Sequence, residues 1–555
     1  MARDKTKKRV CVVGAGASGM SAAYSMSLDP EKFEVTVFDK EKEAGGMATS
    51  IKIDAEKYGA GYINDGVQGC SPQFYNTIRM FDILGFKPTP VGMQVSFGKD
   101  KYYWSNVYPS QLSRSFASDI KKFGRVLKIV KMFEVIFALI PVHLLLRIFR
   151  FTPDFGERMI YPLVALFFGT GNQTPFISSA ILERVFLDPS MKLFEFDEKS
   201  LLASIPTMYG FPNLHDTYTA WKSKCEEGGN VTFNLGHEVV SVKERSKKGV
   251  VIEYKTPEGQ VQEGRFDDLI LAVDADSALK LLGKTATWRE RKILGNVLYL
   301  HDVTITHNDL DYMKRHYETE YRPELNAESQ GKADDEAFAF AEKNFRPLYY
   351  IKEYEEDRAK IEMSFDLTHY QPQFRGIPPT GPPDNDRLSS SSDSTAVQRD
   401  ATNPGDPEYD STGEAARKGK SHEGQKEAKL EDHVFQTIFL DKDGSRHLWT
   451  DKEILPEKRI YEKWWKQQSH RAQHYYKVVP WMMFLNGKNH TYFAGAWTIL
   501  NMHELAVTSG FSAAYRLGAK YPFSGDQGCE RLFKLYLAAS HGMRARKEDR
   551  RGLFV

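Results

Sequence analysis

The feature that most constrains this fold is a ten-residue run near the start of the chain, VCVVGAGASG at 10–19. An apolar β-type run, Val10–Val13, leads into glycines at 14, 16 and 19, the spacing G-x-G-x-x-G. A small-residue helical pattern follows over Ala17–Leu28. A second strand pattern, FEVTVF at Phe33–Phe38, completes a βαβ unit and ends against Asp39, twenty residues past Gly19. Each glycine has its own task. Gly14 permits the tight turn, Gly16 lets the backbone approach a pyrophosphate, and Gly19 lets the helix pack close to the strand. Ala17 and Ser18 open the helix, whose free N–H groups and dipole favour negative charge. The Asp39 carboxylate can accept hydrogen bonds from ribose hydroxyls, with Lys40 beside it. The expected fold class is α/β with a dinucleotide site.

The rest of the chain is organised in blocks. Its 555 residues, 41% hydrophobic, suffice for about two to four domains. Lys and Arg number 75 against 74 Asp and Glu, so no basic excess points to nucleic acid. Cys11, Cys70, Cys225 and Cys529 form no C-x-x-C and no Cys/His cluster with zinc spacing. No metal site is expected, and the cysteines read as free thiols in a reducing compartment. The first residues, MARDKTKKR, lack the apolar core of a signal peptide. The last, GLFV, match no retention or peroxisome signal. The expected location is the cytoplasm. A strand-rich region spans Val231–Val273, and TYFAGAW at 491–497 reads as a strand running into a loop before a helix at Glu504–Leu517. Residues 371–432 hold one Ile, one Val and two Leu. Such a stretch cannot bury enough apolar surface to offset its ordering entropy, so a disordered insertion is expected there.

With five residues between, Asp39 is followed by GGMATS, from Gly45 and Gly46 through Met47 and Ala48. Taken with G-x-G-x-x-G and the acid, this resembles the N-terminus of the flavin amine oxidase superfamily, although Met47 stands where that superfamily often has Arg. HEVVSV resembles the strand whose backbone meets the adenine, with Val239 as the matching position. TYFAGAW…HELAVTSGFSAAYRLG resembles the C-terminal motif, in which a strand ends in a glycine (Gly495) and a helix N-terminus around His503 and Glu504 faces the flavin. The motifs LAVDADSALKLLG, WRERKILGNVLYLHDVTITH and FAGAW…HE…SG together are most similar to the family labelled "predicted NAD/FAD-binding protein".

The resemblance implies FAD and a Rossmann-type α/β FAD-binding domain assembled from discontinuous segments, 1–100, 225–290 and 486–523. A mixed α+β substrate domain (101–224, 291–370 and 433–485) is inserted between them, and a C-terminal helix and tail follow at 524–555. It also implies that Tyr58–Asp65 lies near the flavin, with Gly59 and Gly61 allowing close backbone approach. His474 is a candidate proton carrier, because a His precedes the final strand in the resembling family. His503 and Glu504 are further catalytic candidates.

No GxSxG, HExxH or P-loop is present, so hydrolase, zinc peptidase and NTPase readings have no support. An FAD site implies hydride transfer to flavin N5 from a substrate. The aromatic and Met-rich middle of the chain suggests a hydrophobic small molecule of fatty acyl, isoprenoid or polyketide type. Alternatives are a redox-neutral isomerase or hydratase of a lipid, an amine oxidase, a flavin-binding module without turnover, and an NAD(P)-dependent enzyme. Ile129–Phe149, IVKMFEVIFALIPVHLLLRIF, is long enough to span a bilayer but carries Lys131, Glu134, Pro141, His143 and Arg147. Each charge at a bilayer centre costs ~2.5–3.5 kcal/mol, so a spanning helix is not expected. The favoured reading is a buried helix pair broken near Pro141. The alternative is peripheral membrane contact through 112–149, where basic residues precede an apolar face.

Overall fold

The computed structural model describes residues 7–168, 172–187, 194–202, 204–377 and 428–546. One half is built on a five-stranded parallel sheet. The strand order is Val231–Leu235, Phe33–Asp39, Lys8–Val13, Asp268–Leu271 and Thr491–Phe493. Strands from three distant stretches of chain therefore share one sheet. Side-chain alternation explains how one sheet holds two layers. Val10, Val12, Val35, Val37 and Ile270 face a core with the helices Ala17–Ser27, Leu214–Glu226 and His503–Leu517. Cys11, Val13, Phe38, Leu269 and Leu271 face a second core against the antiparallel strands Glu238–Ser246 and Gly249–Lys255 and the helix Ala275–Leu282. Strands covered on both faces need near-continuous apolar runs, which VCVV and LIL supply.

The other half rests on a seven-stranded mixed sheet. The order is Arg459–Gln468, Tyr299–His307, Phe435–Phe439, Ile361–Asp366, Tyr349–Glu353, Val95–Phe97 and Trp104–Ser105. One face buries Tyr350, Val303, Ile305 and Phe439, together with Glu362, whose carboxylate accepts from the hydroxyls of Tyr312, Tyr317 and Tyr354. The other face, with Ile351, Met363 and Phe365, packs on helices at 117–187.

Three expected borders move. Val95–Phe97 pairs in parallel with Tyr349–Ile351, so the seven-stranded sheet begins before the expected border at residue 100. The helix Leu214–Glu226 buries Leu214, Tyr218, Trp221 and Cys225 in the core of the five-stranded sheet, although its sequence lies before the expected border at 225. The helix Gln527–His541 packs Phe533 and Leu537 into that same core rather than forming a separate tail. Of the expected disordered insertion, 378–427 lies outside the described residues. Its flanks are folded: Gln371 is buried, its side chain exchanging hydrogen bonds with the Asn64 backbone at 2.9 Å each way.

Around Pro141 the chain forms the helices Ala117–Met132, Glu134–Phe137 and Val142–Ile148, and Pro141 caps the last. These helices are buried on one side only, which corrects the expectation of a buried pair. Among the described residues no helix is long and apolar enough to cross a membrane.

Candidate nucleotide and active site

The parallel strands Lys8–Val13, Phe33–Asp39, Asp268–Leu271 and Thr491–Phe493 all end on one edge of the sheet. The chain winds outward in both directions from Lys8–Val13, so a crevice opens beside the end of that strand. Gly14 turns there with φ +106°, and a Cβ would stand 2.4 Å from the Ala272 carbonyl oxygen. A Cβ on Gly19 would stand 1.8 Å from the Gly14 oxygen, so the helix sits directly on the turn. At Gly16 the nearest atom to a Cβ is the Gly46 Cα at 3.7 Å, an ordinary contact. Gly16 caps the Ala17–Ser27 helix without a side chain, leaving its first N–H groups facing the crevice edge.

The Gly-Gly segment is held against this turn. Gly45 N–H donates to Ala15 O at 2.9 Å, and Ala48 N–H donates to Gly45 O at 3.0 Å. Gly45 and Gly46 have φ +138° and +62°, conformations that side chains resist. The Asp39 carboxylate spans both loops, accepting from Ala15 N–H at 2.6 Å and Glu41 N–H at 2.9 Å. Burial raises its pKa and these N–H groups lower it. Each oxygen retains a lone pair for a further donor. Lys40 sits 3.8 Å from Glu41 at the surface. Val239 is buried beneath this edge with Phe38, and the ladder is irregular between Val239 and Ser241. Such a bulge re-aims the backbone.

The C-terminal motif closes the site. Gly495 has φ +148° and donates its N–H to Ser509 Oγ at 2.9 Å. Ser509 in turn bonds Ser18 Oγ at 3.2 Å, and a Cβ on Gly510 would stand 2.0 Å from Ser18 O. The two helices whose N-termini reach the crevice are thus packed backbone to backbone. Met502 caps the His503–Leu517 helix without a side chain.

Two of the catalytic candidates are corrected. His503 has both ring nitrogens engaged by protein, with Nδ1 at 3.0 Å from Thr77 Oγ1 and Nε2 at 2.8 Å from the OH of Tyr218, whose ring would stand 3.8 Å from a Cβ on Gly45. Burial pushes its pKa down to about 4, so it is a neutral packing residue. Glu504 caps a different helix. Its Oε1 accepts from Asn76 N–H and Asn76 Nδ2, and its Oε2 from Thr77 N–H, at 2.7–2.9 Å. Those groups open the helix Tyr75–Ile83, which has no cap of its own. His474 lies buried against the Trp497 and Ile499 backbone, beside Gln468 at 3.1 Å, and burial lowers its pKa to about 4. It is neutral and touches the loop that follows Gly495.

Gly59 and Gly61 lie at the exposed tip of the hairpin Thr49–Lys52/Tyr62–Asp65, where they serve the turn. The close approach belongs to Gly66, where a Cβ would stand 2.5 Å from Met47 O and 2.6 Å from the Trp465 ring. Around it lies a polar cluster that sequence reasoning missed. Asp65 Oδ1 accepts from Gln436 Nε2 at 3.0 Å, and Gln68 Nε2 donates to Gln436 Oε1 at 2.6 Å. Asp65 Oδ2 is buried without a hydrogen-bond partner. Lys463, lying over the Trp465 ring at 4.2 Å, bonds Thr49 Oγ1 at 3.2 Å, and burial lowers its pKa. These residues come from strands hundreds of positions apart, so no local pattern could have united them.

Among the described residues one group has metal-ligand types close together: Asp366, His369 and His433. The two Nδ1 atoms meet one Asp366 oxygen at 3.2 and 2.8 Å. Two imidazoles paired with one carboxylate account for this geometry without an ion, and the histidines hold the Asp366 pKa down against burial.

The model for the NAD(P)-binding Rossmann-like domain matches residues 12–79. A 52-residue stretch is 42% identical to the mitochondrial protoporphyrinogen oxidase of Nicotiana tabacum, covering 9% of this chain and 10% of that protein. Solved structures match over nearly the whole length. A fatty acid isomerase from P. acnes that produces CLA superposes with a TM-score of 0.52 at 12% identity, over 92% of this chain and 99% of that one. A putrescine oxidase variant superposes with a TM-score of 0.54 at 11% identity, over 92% and 98%. The chain has the α/β fold shared by amine oxidase-like oxidoreductases.

Proposed function

We propose that this chain is an FAD-dependent oxidoreductase acting on an apolar small molecule at the junction of its two halves. The crevice fits a dinucleotide: Gly16 is the one fingerprint glycine whose missing side chain leaves space, while Gly14 and Gly19 are filled by backbone. Gly14–Gly19 and Gly45–Ala48 would hold the pyrophosphate, Asp39 the ribose, the Val239 strand the adenine side, and the helix at 503–517 the flavin end. Bound there, FAD supplies a two-electron acceptor for a substrate C–H bond. The protein's part is to orient the substrate, exclude water and steady charge. Asp65, Gln436, Gln68 and Lys463 form the polar group at the junction, and the uncapped N-terminus after Met502 offers N–H groups to negative charge.

The observation that carries the apolar-substrate reading is the reach of one hydrophobic cluster. It runs from Val142, Leu145 and Phe155 through Tyr349 and Phe365 to Ile63, Leu500 and, inside the C-terminal motif, Leu505. The likeness to the P. acnes fatty acid isomerase favours a second reading, redox-neutral rearrangement of a lipid. A visible spectrum of the purified protein, then anaerobic titration with long-chain lipids and amines, tests both. Absorption near ~450 nm that bleaches with lipids supports the first. Lipid conversion without bleaching supports the second. Bleaching by amines alone overturns the apolar-substrate reading, and a colourless protein that cannot be reconstituted overturns the cofactor.

A further inference from the structure

We infer that the helical turn at 132–148, with the basic face leading into it, is a docking surface for an anionic lipid bilayer. Nineteen large apolar side chains are exposed among the described residues, and seven of them fall in this short segment. Val135 is 83% exposed, Met132 69%, Ile136 58% and Leu139 55%, with Leu144 and Ile148 on the following helix. The inner faces of the same helices are conventional core: Phe123, Leu127, Val130, Phe137, Val142 and Leu145 are buried. The segment is therefore well anchored beneath and uncovered above. Single exposed leucines need no explanation, but a contiguous cluster rimmed by charge does.

The charge pattern selects the occupant. Lys121, Arg125 and Lys128 are exposed at i, i+4 and i+7 on one helix face, and Met132 continues that face into the apolar turn. Arg147 and Arg150 are exposed beyond it. The two acids within 117–150 are already paired. Asp119 is held by Thr152 at 2.8 Å and Lys122 at 3.1 Å, and Glu134 by Arg184 Nε at 2.7 Å. The outward charge is thus positive. Cations beside a shallow apolar wedge suit an anionic headgroup layer, into which such a wedge sinks ~5–10 Å. A second copy of the chain fits less well, because a two-fold contact through this patch would set the basic rims against each other. The inference does not depend on the cofactor or the substrate.

Flotation of the full-length protein with vesicles tests it. Protein should float with phosphatidylcholine vesicles containing phosphatidylglycerol at low salt. Binding should fall at least ~tenfold with phosphatidylcholine alone or at high salt, where surface charge is screened. The double variant V135D/I136D, altering exposed side chains, should keep the wild-type melting temperature and lose ~tenfold or more in vesicle binding. The triple variant K121E/R125E/K128E should lose the preference for anionic lipid. Wild-type protein that stays unbound in every composition, or variants that bind as well as wild type, would overturn the inference. So would V135D/I136D turning a dimer into a monomer while the wild type fails to float, because a second copy would then cover the patch.

Discussion

Replacing Glu504 separates a structural carboxylate from a catalytic one. In the structure it accepts three hydrogen bonds from the start of the helix Tyr75–Ile83, far from solvent. Glu504→Ala removes the acceptor of two main-chain N–H groups and of one amide N–H of Asn76, whose Nδ2 keeps its bond to Cys529 O. Bonds to a charged acceptor contribute ~1.5–3 kcal/mol each, so three suggest ~5–9 kcal/mol. Against this stands the cost of holding the carboxylate dry, visible in a pKa that burial raises despite all three bonds. The net expectation is ~3–5 kcal/mol lost, the range for removing one partner of a buried charged pair. Glu504→Gln keeps one acceptor oxygen but turns an NH2 group towards a donor, so ~1–3 kcal/mol is expected. The sign with pH follows from the raised pKa. The folded state takes up this proton at a higher pH than the unfolded chain, so the residue's contribution improves as pH falls through the folded pKa and levels off below ~4.3. Urea unfolding followed by circular dichroism, at several pH values, measures all of this. The reasoning is refuted if Glu504→Ala is as stable as wild type. It is equally refuted if Glu504→Gln keeps full stability and cofactor but loses most of its turnover, which would return the side chain to the chemistry.

Further expectations concern acid sensitivity and the glycines. Burial lowers the pKa values of His307, His470 and His541 to about 3, and of His474 and His503 to about 4. The unfolded chain binds these protons first, so stability is full above pH ~6.5 and falls towards pH 4 by ~1.4 kcal/mol per pH unit for each histidine. Glu504 and the buried carboxyls of Asp302 and Glu353, pushed up to about 7, act in the opposite sense, so the net slope is smaller than five histidines alone would give. Neither ring nitrogen of His541 has a hydrogen-bond partner, so His541→Phe should keep stability at pH 8 and flatten the acid slope by ~1.4 kcal/mol per unit; an unchanged slope in urea titrations would reject this. Gly14→Ala forces a Cβ 2.4 Å from Ala272 O at φ +106° and should destabilise the apoprotein by ~2 kcal/mol or more. Gly16→Ala meets nothing closer than 3.7 Å and should melt within a few degrees of wild type while losing ~tenfold or more in flavin affinity. Wild-type flavin retention by Gly16→Ala would refute the assigned phosphate position. Gly510→Ala should lower the melting temperature, because its Cβ would stand 2.0 Å from Ser18 O and part the two helices; an unchanged melting curve would contradict that packing.

The βαβ start was legible in the sequence because its determinants are local. An apolar run, three spaced glycines and an acid after the next strand specify a turn and a helix start whatever lies elsewhere. The later strands were legible for the same reason, since alternation and turn residues are read within a few positions. The border at 100 was not, because Val95–Phe97 joins the seven-stranded sheet through a partner at 349–351, and pairing over such distances leaves no local trace. The same holds for the side chains of His503 and Glu504. Sequence identifies them as the opening of a helix, and that helix does begin there. Where the side chains point was decided by the Tyr75–Ile83 helix and Tyr218, brought alongside only by the fold. Gly66 and the polar cluster of Asp65, Gln436 and Lys463 are likewise products of tertiary contact. By itself the sequence determined where the backbone must turn, which strands must be buried and that the chain opens with the glycine turn of a Rossmann-like βαβ unit. Tertiary structure alone decided which polar side chains are consumed in capping and packing, because hydrogen-bond partners are chosen by neighbours in space.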